Sequence, residues 1–299
     1  MASSSAGLVV GEMTVGISPA DYGELRLAVQ KLETQSLAMK VAERLGMPID
    51  ALMRRLPPAT QQAVHGAVNK ALGQCLRVAL MPGSQTGLQG GPGVGPGQYL
   101  ASGVFVPPSA PAKRLHTATV ALSGAVGGFF GLPGLLVELP VTTTVMLHSI
   151  VEIARSQGED LRDPASALAC LEVFALGPDR MHKDALESAY YVSRAALAQA
   201  TREASAFLVQ KTAAKEGAPA LVSFLGKVAA RFGIEVSEKV AAEIIPIAGA
   251  AGGATLNVLF SRHFQALAEG HFTVRRLERK YGAEAVRLGY ERVRLALGA

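Results

Sequence analysis

Glu138 is the residue whose surroundings first raise a question of chemistry. In the stretch Leu135, Leu136, Val137, Glu138, Leu139 a single carboxylate stands among aliphatic side chains, where desolvation disfavours its charged form unless a cation or a hydrogen-bond donor is at hand. Two roles follow. The carboxylate can pair with an arginine or cap a helix beginning near Pro140, where the positive end of the dipole favours an anion. Alternatively it can serve as a catalytic or proton-coupled group. His148 and Glu152 lie four residues apart, hence on one helix face, and could present two metal ligands. Two ligands do not complete a site, and His263 or His271 could add nitrogen donors only if the fold brought them near. Without that, His148 and Glu152 form an ordinary helix-surface pair.

The usual signatures of catalysis are missing. There is no G-x-S-x-G elbow, no H-E-x-x-H, no Walker lysine motif and no C-x-x-C. Leu225, Gly226 and Lys227 are followed by Val228, which lacks the hydroxyl a phosphate loop needs for magnesium. No second carboxylate stands at a telling distance from Glu138, so acid–base work has no second partner. No cofactor is expected. Cys75 and Cys170 lie far apart inside apolar helical patterns, as buried thiols of a reducing compartment would.

The positive charge is unevenly placed. Of a formal net charge of +5, residues 271–299 carry about four, with seven Arg or Lys against three Glu. Val274, Leu277, Tyr281, Ala285 and Leu288 fall on one stripe, with Arg275, Arg276, Arg279, Lys280 and Arg287 around it. Such a basic amphipathic helix can lie on anionic lipid or a partner surface, and it can equally be a solvated helix docked on its own core. Aromatic residues do not interleave with the basic ones, so a nucleic-acid partner is not expected.

The elements that must position these residues read as helices throughout. Alanine and leucine abound, aromatics make up 5% and tryptophan is missing, which favours an all-α, multi-helix bundle. Residues 1–17 lack any period and are expected to be disordered, and they carry neither the basic nor the apolar region of a signal peptide. Ser18, Pro19 and Asp21 form a helix start of capping-box type, and Gly46 with Pro48 ends that helix. A second helix is predicted over 58–80. Residues 82–98 hold seven glycines and no charge and form a flexible loop. Residues 117–137 are charge-free, yet Gly127, Gly128, Gly131, Pro133 and Gly134 interrupt them, so two shorter helices meeting near Pro133 and Pro140 are predicted. Asp163 and Pro164 restart a helix that stops at Gly177. Helices over 183–215 and from about Ala220 follow, then a second charge-free block over 244–260 and a C-terminal helix after Gly270.

The two apolar blocks share one pattern. Gly124-Ala-Val-Gly-Gly128 and Gly249-Ala-Ala-Gly-Gly253 each set glycines four apart on one face, a spacing that lets two backbones approach closely. Each glycine costs about 1 kcal/mol of helix propensity against alanine, so a compensating close contact is expected, either between buried core helices or at a membrane.

Two blocks resemble the EcsC family: "GLPGLLVELPVTTTVMLHSIVEIARSQGEDLRDP" with the following "LEVFALG", and "IPIAGAAGGATLN" through "ALAEGHFTVRRLERKYG". The resemblance covers roughly residues 55–283 without the glycine loop, which makes 18–299 one EcsC-like helical domain. It marks Gly131, Leu132, Pro133, Gly134, Glu138, Pro140, Ile153, Ala154, Gly158 and Pro164 in the first block. In the second it marks Pro246, Gly249, Gly253, Asn257, Ala268, Phe272, Arg276, Leu277 and Tyr281. Family members commonly carry aspartate where this chain has Glu138, and an aromatic where it has Glu159. The resemblance implies a helical, membrane-associated protein and names no reaction.

Together these features lead us to expect a non-enzymatic protein at the cytoplasmic membrane face. Its partner is expected to be an anionic membrane surface or a membrane protein such as a transporter. A peptide or lipid hydrolase using Glu138 with a histidine, and a soluble protein-interaction module, are the alternatives.

Overall fold

The computed structural model describes residues 16–33, 57–80, 138–176, 188–210, 219–243 and 249–298, without the side chains of 242, 243 and 249–255. Gly124, Gly128, the 82–98 loop and the first apolar block up to Val137 lie outside the described residues. The described chain is all-α. Its helices are α1 (Pro19–Glu33), α2 (Pro58–Leu80), α3 (138–156), α4 (Pro164–Glu172), α5 (Ala189–Val209), α6 (Pro219–Glu243), α7 (Gly249–Tyr281) and α8 (Ala283–Leu297). A 3₁₀ turn, Val173–Ala175, extends α4. No helix among the described residues is long and apolar enough to cross a membrane.

Local chemistry sets several of the boundaries. Ser18 caps α1 by accepting from the Asp21 amide at 3.3 Å. Asp163 caps α4 by accepting from the Ala165 amide at 3.2 Å, with Pro164 at the first helical position. Ser188 does the same for α5 through the Tyr191 amide, so that helix starts later than the predicted 183. Helix α3 is described from Glu138, so Pro140 falls within its first described turn, and the predicted helix before it lies outside the described residues.

The largest departure from expectation is at Gly270. The sequence suggests a helix break there, but α7 continues as one 33-residue helix to Tyr281 and ends at Gly282, whose φ of +87° suits glycine. Gly270 is instead a contact point. A Cβ added there would lie 2.7 Å from Leu32 Cγ and 3.1 Å from the Ala28 carbonyl oxygen, so α1 rests on α7 where no side chain intervenes.

Helix α7 is the central element. It packs against α1, α6, the 3₁₀ turn and α8, while α2 packs on α6 and α4, and α5 bridges α4 and α6. Hydrogen bonds pair Glu138 with Asn257, Ser149 with Gln265 and Gln157 with Arg276, so positions advance together and α3 runs parallel to α7. The core centres on Phe174, Phe232, Phe260 and Phe264, all at most 1% exposed. Ring centroids of 4.9 Å (Phe174–Phe232) and 5.1 Å (Phe260–Phe264), tilted or edge-on, are the arrangement that aromatic quadrupoles favour. Cys75 and Cys170 are free and buried here, and burial pushes both thiols up to about 12, which leaves them unreactive.

Candidate functional site: the charged seam along α7

Helix α3 ends in a turn that aims a carboxylate inward. Gly158 takes φ +77°, its amide donates to the Arg155 carbonyl at 2.9 Å, and the Glu159 amide donates to the Ala154 carbonyl at 3.1 Å. This is the paired hydrogen bonding of a Schellman stop, in which glycine is favoured at the left-handed position. The following residue is thereby turned back onto α7.

Glu159 receives a dense set of donors. Arg275 grips it with two bonds, Nε to Oε1 at 2.8 Å and Nη2 to Oε2 at 2.9 Å, Ser166 Oγ donates at 2.7 Å, and Arg279 Nη1 adds a further contact. The Glu159 side chain is only 2% exposed. Burial alone would raise its pKa, but Arg275, with Ser166 and Arg279, holds the carboxyl down at about 2. Arg279 also donates to the Gln157 carbonyl at 2.7 Å, tying the turn itself to α7.

The opposite side of the same stretch of α7 holds α1. Asp21 accepts from Lys280 Nζ and from the Tyr281 hydroxyl, both at 2.6 Å, and lies 3.6 Å from Arg276. Arg276 also reaches Glu24 and Gln157. Burial of Asp21 opposes ionisation, but Lys280, Tyr281 and Ser18 bring its pKa to about 2. Asp21 therefore bonds the Ser18 hydroxyl at 2.9 Å rather than completing the reciprocal half of the expected capping box, and the Ser18 amide turns to Tyr281 Oη at 3.3 Å.

Between these two clusters lies a buried polar interior. Arg194 forms a bidentate pair with Glu278 (2.7 and 3.0 Å) and lies 5.4 Å above the Tyr190 ring. The Tyr190 hydroxyl meets His271 Nδ1 at 3.0 Å. His271 is fully buried, its Nε2 has no hydrogen-bond partner among the described residues, and burial with the nearby Arg194 and Arg275 keeps it neutral, its pKa well below 6.5. Glu172 bonds Thr201, and burial raises its pKa. Glu33 collects the Ser188 hydroxyl at 2.5 Å and the Tyr290 hydroxyl at 2.8 Å, linking α1, α5 and α8.

The residues singled out in the sequence do not converge. Glu138 accepts from the Thr142 hydroxyl at 3.0 Å and from the Asn257 amide, which ties α3 to α7. His148 engages the Thr144 carbonyl through Nδ1 at 2.7 Å on its own helix, and Glu152 is half-buried further along it. No group of three or more His, Cys, Asp or Glu that could hold a metal occurs among the described residues. Gly249 opens α7 and Gly253 is helical within it, while the matching Gly124 and Gly128 are outside the described chain. Arg275, Arg276, Arg279 and Lys280, read from sequence as an outward basic surface, are each engaged by carboxylates of the same chain. Glu159, which Arg275 and Arg279 grip, was visible in the sequence only as a departure from the family pattern.

The EcsC protein family model matches residues 22–277, from the first turn of α1 to the penultimate turn of α7. The chain belongs to the EcsC protein family. No curated protein and no solved structure matches it. The match starts well before the residues that carry the resemblance in sequence, taking in most of α1, and leaves α8 outside. The match takes in Glu159, Ser166, Arg194, His271, Arg275 and Arg276, whereas Asp21, Glu278, Arg279, Lys280 and Tyr281 fall just outside it. Chemically the seam is a lock, in which oppositely charged groups satisfy one another and hold α1, the α3 turn and α5 against α7.

Proposed function

We propose that this EcsC protein is a non-enzymatic helical protein that works at the cytoplasmic face of a membrane, against anionic lipid or a membrane protein. The observation that carries the non-enzymatic part is the seam itself. Its most buried ion-paired carboxylate, Glu159, is saturated by Arg275, Arg279 and Ser166, and a carboxylate held near pKa 2 is a poor base at neutral pH. Glu138 is tethered by Thr142 and Asn257, which supports a positioning role over the hydrolytic one. The membrane part is supported by the charge-free run 117–137 together with a formal charge of +5.

Fractionation of cell lysate tests it. The protein is expected to sediment with membranes at low salt and to be released by high salt or carbonate. Full recovery in the soluble fraction at low salt overturns the membrane part and favours a soluble interaction module; retention through carbonate replaces surface contact with integral insertion.

A further inference from the structure

His271 is a buried titratable group with half of its hydrogen bonding unmade. It lies on the face of α7 turned toward α5, fully buried, with Nδ1 engaged by the Tyr190 hydroxyl at 3.0 Å and Nε2 without a partner among the described residues. A neutral imidazole tolerates this arrangement, because one of its nitrogens carries no hydrogen. An imidazolium does not. It has an N–H on both nitrogens, and the one on Nε2 would be a buried, charged donor with no acceptor.

The charges around the ring act in the same direction. Helix α5 brings Arg194, and α7 itself brings Arg275 and Glu278; the two arginines are the cations whose field His271 feels, and both oppose a third positive charge. The nearby carboxylates are already committed: Glu278 to both terminal nitrogens of Arg194, Glu159 of the α3 turn to Arg275 and Arg279, Glu172 of α4 to Thr201, and Glu33 of α1 to Ser188 and Tyr290. From α8, Arg287 lies over the Tyr191 ring, and from α6, Lys239 lies over Phe260, about three turns back along α7.

The contact that His271 makes is lightly built. Helix α5 packs closely along α4 and α6, but it reaches α7 through long side chains, the Tyr190–His271 bond and the Arg194–Glu278 pair. It reaches α8 through Tyr290, stacked on Tyr190 and edge-on to Tyr191, and through the Ser188 amide, which donates to Glu291 at 3.3 Å. Glu172 and Thr201 belong to the α4–α5 contact, so separating α5 from α7 leaves their bond in place.

We propose that the Tyr190–His271 contact is an acid-operated joint, closed while the imidazole is neutral and opened by its protonation, which parts α5 from α7 and α8 while α5 stays packed on α4 and α6. In the open state the imidazole meets water and titrates at its ordinary 6.5. Each pH unit below that value then favours open over closed by up to about tenfold. Glu159 and Asp21, held down at about 2, stay ionised through this range, so the clamps on the α3 turn and on α1 persist.

The sequence has six tyrosines and no tryptophan, and Tyr190, Tyr191 and Tyr290 form the joint, so the tyrosine circular dichroism band in the near ultraviolet reports its packing. In the full-length protein, titrated from about pH 7.5 to about pH 4, that band is expected to fall while the far-ultraviolet helix signal is retained. H271N is expected to keep the band across the same range. Y190F, which removes the bond and leaves the histidine, is expected to raise the midpoint by about half a pH unit to one unit, the effect of one lost hydrogen bond. A wild-type band that holds down to about pH 4, or that falls only together with the helix signal, overturns the joint. An unchanged midpoint in H271N overturns it too, by placing the titrating group elsewhere. If H271N does not fold, Y190F decides, and an unshifted midpoint there overturns the proposal.

Discussion

Arg275 and Arg292 belong to one basic stretch of sequence, yet they live in different physical regimes. Arg275, on α7, is part of a two-bond grip on a carboxylate that is 2% exposed. Arg292, on α8, is exposed beside two exposed leucines. The change of regime falls at Gly282, where the positive φ ends α7 and restarts the chain as α8. Counting charge along the sequence therefore locates a basic region without saying which of its charges meet the outside. The division is one of degree: Arg279 and Lys280 on α7 are paired yet keep 44% and 55% of their side chains exposed, and Arg294 on α8 is paired with Glu291.

The sharpest way to break the contrast is at Glu159. Replacing it by glutamine leaves Arg275 facing a neutral group in a largely buried position, and breaking one side of a buried pair costs about 3 to 5 kcal/mol. Denaturant unfolding is expected to show that loss, whereas R292Q, at an exposed position, should cost no more than the roughly 1 kcal/mol of a surface contact. A similar small effect for E159Q would mean that the seam contributes no more than a surface pair.

Glycine contacts give the next largest effect and separate the two helices again. At Gly270 an added methyl meets the Ala28 carbonyl and the branch carbon of Leu32, neither of which can swing away. Gly270→Ala is expected to destabilise by about 1 to 3 kcal/mol through overpacking. Gly289 meets only the side-chain ends of Leu25 and Ile17 at its closest. Those can shift by a rotamer adjustment, and alanine also gains about 1 kcal/mol of helix propensity, so Gly289→Ala should be close to neutral in thermal unfolding.

Acidification separates the seam in stages. His271 is neutral in the folded protein with its pKa depressed below the ordinary 6.5, so the unfolded chain takes up the proton first. Stability is full above about pH 6.5 and falls below it, by about 1.4 kcal/mol per pH unit for a single proton. His271→Asn, measured across the same range, should lose that slope. Glu159 and Asp21 behave as depressed carboxylates, contributing stability that is full above their ordinary values of 4.5 and 3.8 and is lost as pH falls toward about 2. A stability profile flat from pH 7 to 5 in the wild type would remove the buried neutral histidine from the account.

Much of the scaffold was legible in the sequence because its signals are local. The caps at Ser18 and Asp163 and the boundaries of α2 follow from residues within a few positions of each other. The site was not legible, for a physical reason. Glu159 is next to Gly158 in sequence, but its partners Ser166, Arg275 and Arg279 come from two other helices. Glu138 stood out because its neighbours in sequence are apolar, yet its tether, Asn257, lies on a helix far along the chain. Gly270 shows the same limit from the other side: local rules read a mid-helix glycine as a stop, and only the arrival of α1 explains why the helix keeps it. Leu288 was placed on one apolar stripe with Leu277 and Tyr281, and the break at Gly282 resets the phase so that Leu277 is buried while Leu288 faces outward.

The smallest effect is the one that sharpens the comparison most. Leu288 and Leu295 contribute little to the folded protein, since each is about half exposed or more. The double change L288Q/L295Q is expected to alter stability by no more than about 0.5 kcal/mol, the range typical of surface substitutions. A core leucine of α1 such as Leu25, fully buried beneath Gly289, should cost several times that on truncation to alanine, about 2 to 5 kcal/mol. Two exposed leucines that the fold does not need are a liability in water, because aligned apolar side chains on a helix surface invite association. If L288Q/L295Q unfolds at the wild-type temperature, the fold does not need them and the contrast with Leu25 holds. If it unfolds well below wild type, the leucines are part of the core after all, and α8 joins α7 as an element whose residues are spent on holding the protein together.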